Sequence, residues 1–137
     1  MFNKRNLVIV MAILVLGVVL LSAIKINYRC EIDASGNVQT NGQEPIDGAL
    51  MEFMTSWDGS PYCAYSTYTN QDGNYDAFFG LPDGSPSFYV KCTTFTANGS
   101  IDETSISTNY IVPPIPGQTF TYSGIDFVIT PTAGHKD

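Results

Sequence analysis

The chain has 137 residues, which is enough for one domain of ordinary size. Residues 1–29 contain four basic side chains and no acid, whereas residues 30–137 contain thirteen acids against two lysines, a net charge of −11. A segment this acidic repels a phosphate backbone, so the charge excludes nucleic acid as a partner.

An uncharged apolar run of 18 residues covers positions 7–24. As a helix it spans about 27 Å, close to the ~30 Å hydrocarbon core of a bilayer. We predict a cytoplasmic N-terminus over residues 1–6, a transmembrane helix over 7–26, an extracytoplasmic β domain over 27–130 and a flexible tail over 131–137. Lys4 and Arg5 favour the cytoplasm for the N-terminus, which places the β domain in the periplasm or outside the cell.

Cleavage of the apolar run is the alternative to an uncleaved anchor. Residues 21–25 fit a signal-peptidase site poorly, because the small residues that such a site requires are not at the needed positions. A lipoprotein signal needs a small residue before the modified cysteine, but Arg29 precedes Cys30. Both alternatives stay open, and the uncleaved signal anchor is the preferred interpretation.

The chain beyond Arg29 has the pattern of an all-β domain. Turn-forming pairs of Asn or Asp with Gly recur at short intervals, and runs rich in Tyr, Phe, Thr, Val and Ile lie between them. No window beyond residue 30 has a helical apolar stripe with caps. The predicted strands cover residues 49–55, 62–69, 74–79, 87–96 and 119–130, the last with a break at Ser123-Gly124. About seven short strands in 100 residues are typical of a β-sandwich.

Four stretches of this region carry a resemblance to a known family. They are Gly36-Asn37-Val38, the turn from Gly42 to Ala49, the hairpin from Thr69 to Tyr75, and Phe88-Tyr89-Val90-Lys91. Together they resemble the transthyretin-like and carboxypeptidase-regulatory-like β-sandwich, over roughly residues 30–130. The resemblance implies a seven-stranded Greek-key (prealbumin-like, Ig-like) sandwich behind the transmembrane helix, and domains that commonly serve as stalks, adhesin segments or accessory modules.

Three cysteines fit an oxidising compartment. We predict a disulfide between Cys63 and Cys92, since both lie in the middle of predicted strands, and Cys92 shares a face with Phe88 and Val90. Cys30 would then lie just outside the membrane. Three buried thiols are the alternative, because cysteine is among the residues most often buried.

The sequence offers little catalytic or metal-binding chemistry. His135 is the single histidine and is the third residue from the end of the given sequence, so no Ser-His-Asp or Cys-His arrangement is expected. The hydroxyisourate hydrolases and intradiol dioxygenases that share the sandwich depend on several histidines. Four of the acids, Asp47, Asp58, Asp72 and Asp83, lie beside glycines in turns, where Asp suits the backbone. We therefore expect no enzyme, no metal and no cofactor; a loosely bound Ca²⁺ at residues 70–76 is the weaker alternative.

Two surface features point to binding. Trp57 lies in a predicted loop with Tyr62 close by, which suggests a ligand or partner contact, with sugar stacking as one form of it. The same rings are expected in the core of any sandwich. Asn98 begins an Asn-Gly-Ser sequence, which is an acceptor for glycosylation in organisms that have the enzymes.

Three function classes remain. The first is a membrane-tethered structural or accessory subunit that contacts the membrane, other protein subunits and, as one option, further copies of itself. The second is a pilin-like filament subunit with the N-terminal helix as filament core, although Asn6 after Lys4-Arg5 departs from pilin processing signals. The third is a surface module that binds carbohydrate or Ca²⁺.

Overall fold

The computed structural model of the protein describes residues 4–6, 8–13 and 28–131. Residues 4–6 and 8–13 are helical, and the side chains of Val8 and Ile13 are exposed. Across the described parts of the chain, no helix is both long enough and apolar enough to span a bilayer. Most of the predicted transmembrane helix over 7–26 lies outside the described residues, as does the predicted tail apart from residue 131.

The β domain is a sandwich of two sheets, which confirms the all-β prediction. Within residues 28–131 it contains nine strand segments: β1 (Tyr28–Thr40), β2 (Leu50–Trp57), β3 (Ser60–Tyr68), β4 (Asn74–Pro82), β5 (Ser87–Phe95), β6 (Ile101–Ile106), β7 (Tyr110–Ile111), β8 (Thr119–Tyr122) and β9 (Phe127–Ile129). One sheet has four segments and the other has five.

The four-stranded sheet has the order β4-β1-β8, and β9 also pairs with β1. Both β8 and β9 run parallel to β1, β8 along residues 31–34 and β9 along residues 38–40, so they share one side of β1. The five-stranded sheet has the order β3-β2-β5-β6, and β7 shares with β6 one side of β5. The nine segments that the structure describes therefore fill seven positions. The prediction of seven separate strands is not confirmed, because residues 107–109 and 123–126 each divide one strand position into two segments.

Alternation of apolar and polar residues explains how the strands are buried. In β5 the side chains of Phe88, Val90 and Cys92 are buried, as predicted, while Tyr89 and Lys91 are only partly buried. In β2 the buried side chains are those of Met51 and Phe53. Because successive residues of a strand point to opposite sides, each of these strands has one side in the core.

An aromatic cluster fills the space between the two sheets. Phe53, which is fully buried, contacts the Phe79 ring of the opposite sheet with centroids 5.0 Å apart. It also meets the rings of Tyr65, Tyr75 and Phe88 at 6.1–6.4 Å. Aromatic pairs at these separations add to the free energy that burial alone supplies.

A junction of three residues links β1, β4 and the segment between β8 and β9. The Tyr75 hydroxyl donates a hydrogen bond of 2.5 Å to the Ile125 carbonyl, and the Ile125 amide donates to the Ser35 carbonyl at 3.1 Å. Gly36 allows this approach, since a Cβ atom at that position would lie 1.9 Å from the Ile125 carbonyl oxygen. The junction fixes the last strands against β1.

Candidate functional site

The side of the five-stranded sheet that faces away from the core is the candidate site, and we call it the outer face. Residues directly opposite each other on neighbouring strands lie on the same side of a sheet, so the register identifies its members. The apolar members are Leu50, Met54, Tyr68, Tyr89, Phe95, Ile101, Ile106 and Ile111.

Four apolar members of the outer face are largely exposed. Tyr68 exposes 62% of its surface, and the three isoleucines Ile101, Ile106 and Ile111 expose 67%, 63% and 72%. The isoleucines lie on β6 and β7, along one edge of the sheet, and Tyr68 lies on β3 at the opposite edge. Exposed apolar side chains distributed across one continuous sheet face are typical of an interaction surface.

The outward side of the four-stranded sheet differs in composition. There β1 presents Glu31 and Asp33, β4 presents Asp76, and β8 presents Thr119 and Thr121, all exposed. Phe78 and Val128 are the large apolar side chains exposed in β4 and β9. The outward side of the four-stranded sheet is therefore mainly acidic and polar, whereas the outer face of the five-stranded sheet is mainly apolar.

One ion pair occupies the middle of the outer face. The Lys91 Nζ atom lies 3.7 Å from Glu52 Oε1, and the two residues are opposite each other on β5 and β2. Ile106 and Ser66 continue the same row on β6 and β3. Since the pair has no net charge, the centre of the outer face is close to neutral in a domain that is otherwise strongly acidic.

A pocket of about 200 Å³ lies at one end of the outer face. The β2–β3 hairpin borders it with Ser56, Gly59 and Pro61, and Tyr89 and Asn109 supply an aromatic ring and an amide. The floor is held by a hydrogen bond of 2.8 Å from the Thr55 hydroxyl to the Ser87 carbonyl. Hydroxyls, an amide and a ring edge are the groups that recognise a small polar ligand.

The predicted contact residues belong to the β2–β3 hairpin that borders this pocket. Trp57 ends β2, and its backbone pairs with Ser60 in the hairpin that borders the pocket. Tyr62 lies opposite Thr55 on β3, on the core-facing side of the sheet, and exposes 39% of its surface. A ligand contact through either residue stays a prediction.

The structure does not bring Cys63 and Cys92 together, which corrects the predicted disulfide. Cys63 is an exposed, free thiol on β3 opposite Met54, and Cys92 is a buried, free thiol on β5 opposite Met51. The whole of β2 separates them, about 10 Å at the usual strand spacing, and they face opposite sides of the sheet; a disulfide needs Cα atoms within ~7 Å. The number of residues between the two cysteines does not indicate that β2 lies between β3 and β5 in the sheet.

Burial sets the reactivity of these thiols. Burial raises the pKa of the Cys92 thiol to about 12. The pKa of Cys63 is also raised, first by partial desolvation and then by the negative charge of Glu52. Cys30 is buried in β1. The predicted alternative of three buried thiols therefore holds for Cys30 and Cys92 but not for Cys63.

Asn98 lies in the exposed turn between β5 and β6. Its side-chain oxygen accepts a hydrogen bond from the Ser100 amide at 3.1 Å and another from the Thr96 hydroxyl. The turn holds the Asn-Gly-Ser sequence at the surface, and glycosylation there stays a prediction.

In the turn over residues 70–76, weighed as a Ca²⁺ site, several oxygens accept hydrogen bonds. Asn70 Oδ1 accepts hydrogen bonds of 3.0 Å from the amides of Asp72 and Asn74. The Asn37 amide group donates to the Asp72 carbonyl and to Asn74 Oδ1. These bonds are those of an Asx-type hairpin turn. In the described residues, no group of three or more His, Cys, Asp or Glu side chains is arranged to hold a metal ion, and His135 lies outside them.

The sequence prediction missed most of the outer face. One signal was present: β2 begins Leu50-Met51-Glu52-Phe53-Met54, with apolar residues on both sides of the strand rather than one. A strand that is apolar on both sides faces a core on one side and a second apolar surface on the other. The missed residues that matter most are Glu52, Lys91 and Ile106.

The similarity of this chain to known proteins is slight. No protein-family model matches the chain, and no curated protein matches it. Among solved structures, the chain is similar to a 9R-lipoxygenase from Cyanothece PCC8801, with 15% sequence identity and a TM-score of 0.42. The match covers 69% of this chain and spans 16% of the lipoxygenase chain. A likeness this weak carries no argument about fold or activity.

Proposed function

We propose that the protein is a non-enzymatic, membrane-anchored extracytoplasmic subunit whose outer face makes protein–protein contacts in a membrane or cell-surface assembly. The observation that carries the proposal is the exposure of Tyr68, Ile101, Ile106 and Ile111 on one side of the sandwich. Leaving these side chains in water forgoes a free energy of about 25 cal/mol per Å² of apolar surface, which a protein partner would recover.

The N-terminal segment supports the membrane part of the proposal. Positions 7–24 are uncharged and apolar, and the basic Lys4 and Arg5 precede them. The helical residues Val8 and Ile13 expose more than half of their surface. Exposed apolar side chains on a helix suit a lipid environment. The β domain would then lie outside the cell or in the periplasm.

The finer fold assignment, a Greek-key transthyretin-like or carboxypeptidase-regulatory-like domain, belongs to the same proposal. It is supported by the seven strand positions and by the places of the resembling stretches. Gly36-Asn37-Val38 lies in β1 where β9 begins to pair, and Phe88-Tyr89-Val90-Lys91 lies in β5. The stretch from Thr69 to Tyr75 forms the turn into β4.

A carbohydrate-binding module is the second candidate, favoured by the pocket beside the Trp57 hairpin. Its volume of about 200 Å³ and its hydroxyl, amide and ring groups suit one sugar residue. Titration of the full chain with a panel of monosaccharides, followed by calorimetry, tests it. Binding that is lost in Tyr89→Ala and kept in Thr121→Ala supports this function, and a panel without heat of binding refutes it.

Photo-crosslinking in the host membrane tests the main proposal. A benzophenone amino acid replaces Ile106 on the outer face in one variant and the exposed Thr121 on the other sheet in a control. We expect a discrete protein adduct from position 106 that is lost when Leu50→Glu is added, and no adduct from position 121. The absence of an adduct from position 106, and equally from positions 68 and 111, would refute the proposal.

A further inference from the structure

We propose that the outer face binds the outer face of a second copy of this chain, in a two-fold symmetric dimer. This inference rests on the proposed function, because it names the partner of the same surface. Three properties of the outer face lead to it: the balance of its charges, the position of its ion pair and its size.

The first property is charge. Residues 30–137 have a net charge of −11, so two copies repel each other over most of their surfaces. Glu31, Asp33 and Asp76 make the outward side of the four-stranded sheet unsuitable for self-association. The outer face is where the repulsion is weakest, because Glu52 and Lys91 cancel and Leu50, Met54 and Tyr89 around them are uncharged.

The second property is the self-complementary ion pair. In a two-fold interface, if residue i contacts residue j of the second copy, then j also contacts i. Glu52 and Lys91 lie side by side on the two central strands, β2 and β5. A two-fold axis between them places Lys91 of each copy beside Glu52 of the other, so that four charges alternate in sign and both ions keep an opposite neighbour.

The third property is size. Four strand positions and strands of about eight residues give a sheet face of about 19 by 26 Å, or roughly 500 Å² in projection. Side chains make the accessible surface larger than the projection. Specific interfaces begin at about 1,000 Å² of total buried surface, or about 500 Å² on each partner, so the outer face is large enough for a specific dimer contact.

Charge reversal in the full chain tests the inference. The variants are Glu52→Lys, Lys91→Glu and the double reversal, each purified in detergent and followed by sedimentation equilibrium at low salt. Both side chains are partly exposed, so their reversal is expected to leave the fold intact, and a thermal melt checks this. Asp33→Lys on the other sheet is the matched control.

The wild-type chain should be a dimer. Each single reversal should weaken the dissociation constant by roughly tenfold or more, because like charges then face each other. An equal mixture of the two single variants, and the double reversal alone, should return to wild-type affinity. A monomeric wild type would overturn the inference, and so would a dimer that is insensitive to both reversals, since that dimer would form through the N-terminal helix or another surface.

The outcomes separate this inference from the proposed function. A wild-type monomer that still gives a crosslinked adduct of a different protein at position 106 refutes the dimer and leaves the proposed function standing. A chain that gives no adduct and does not dimerise refutes both.

Discussion

Replacement of Gly36 by Ala should strongly destabilise the domain. The added Cβ would lie 1.9 Å from the Ile125 carbonyl oxygen, 2.6 Å from the Ile125 carbonyl carbon and 2.7 Å from the Tyr75 hydroxyl oxygen. The Ile125 carbonyl is part of the backbone, and the Tyr75 hydroxyl belongs to a buried ring, so neither group can rotate away from the added Cβ. The segment between β8 and β9 must move away from β1 by more than an ångström.

The magnitude follows from the bonds that this movement breaks. Three hydrogen bonds hold the segment: Tyr75 to Ile125, Ile125 to Ser35, and the Asn37 amide to Asp126 Oδ1 at 2.9 Å. Each contributes about 1 kcal/mol, and strain from overpacking adds about 1–3 kcal/mol if the segment moves only in part. We expect Gly36→Ala to lower the free energy of unfolding by about 3–5 kcal/mol, out of a total of about 5–15 kcal/mol for a domain of this size.

Thermal unfolding of the full chain in detergent, followed by circular dichroism, measures the effect. A loss of about 3 kcal/mol corresponds to a fall in Tm of at least about 12 °C in a domain of about 100 residues. Gly42→Ala is the control, because its Cβ would meet only the Thr40 hydroxyl, at 3.6 Å. A Gly36→Ala chain that melts within about 2 °C of the Gly42→Ala chain would refute the account of the junction.

Other predictions concern the core and the thiols. Phe53→Ala should lower the free energy of unfolding by about 3–5 kcal/mol in urea titration, because four rings lose their central partner; Tyr68→Ala, at an exposed site, should change it by less than about 1 kcal/mol. Iodoacetamide should label Cys63 in the folded chain, faster as pH rises, and should label Cys92 only after unfolding; rapid native labelling of Cys92 would contradict its placement. Because the folded pKa of Cys92 is raised to about 12, its contribution to stability is complete below the unfolded pKa of about 8.5 and is lost as pH rises from there towards 12. Cys92→Ala should therefore flatten the alkaline unfolding profile, and an unchanged profile would contradict the burial.

Local chemistry explains which parts of the fold were predictable from the sequence. The strands β2 to β5 were predicted within two or three residues, because Phe88, Val90 and Cys92 alternate with polar neighbours and Asp-Gly or Asn-Gly turns lie between the strands. The break at Ser123-Gly124 was also predicted, and the structure places it between β8 and β9.

Features that depend on which strands are neighbours were not predictable. The sequence of β6 is Ile-Asp-Glu-Thr-Ser-Ile. Its two adjacent acids interrupt the alternation of apolar and polar residues that predicts a strand, and its place in the sheet is set by pairing with β5. The predicted Cys63–Cys92 disulfide failed for the same reason, because nothing local says that β2 lies between β3 and β5. The outer face needed the register as well, since Ile106, Lys91 and Glu52 come from three separate parts of the chain.

The central claim is that the outer face is covered by protein in the native membrane. The most direct measurement is the maleimide labelling rate of Ile106→Cys, in a Cys63→Ser background, in native membranes and in the dissociated chain in detergent. Thr121→Cys in the same background is the control, because its side chain is exposed on the opposite side of the sandwich. We predict slow labelling of position 106 in the membrane, fast labelling after dissociation, and equal rates at position 121 in both. Equal rates at position 106 in both states would contradict the claim.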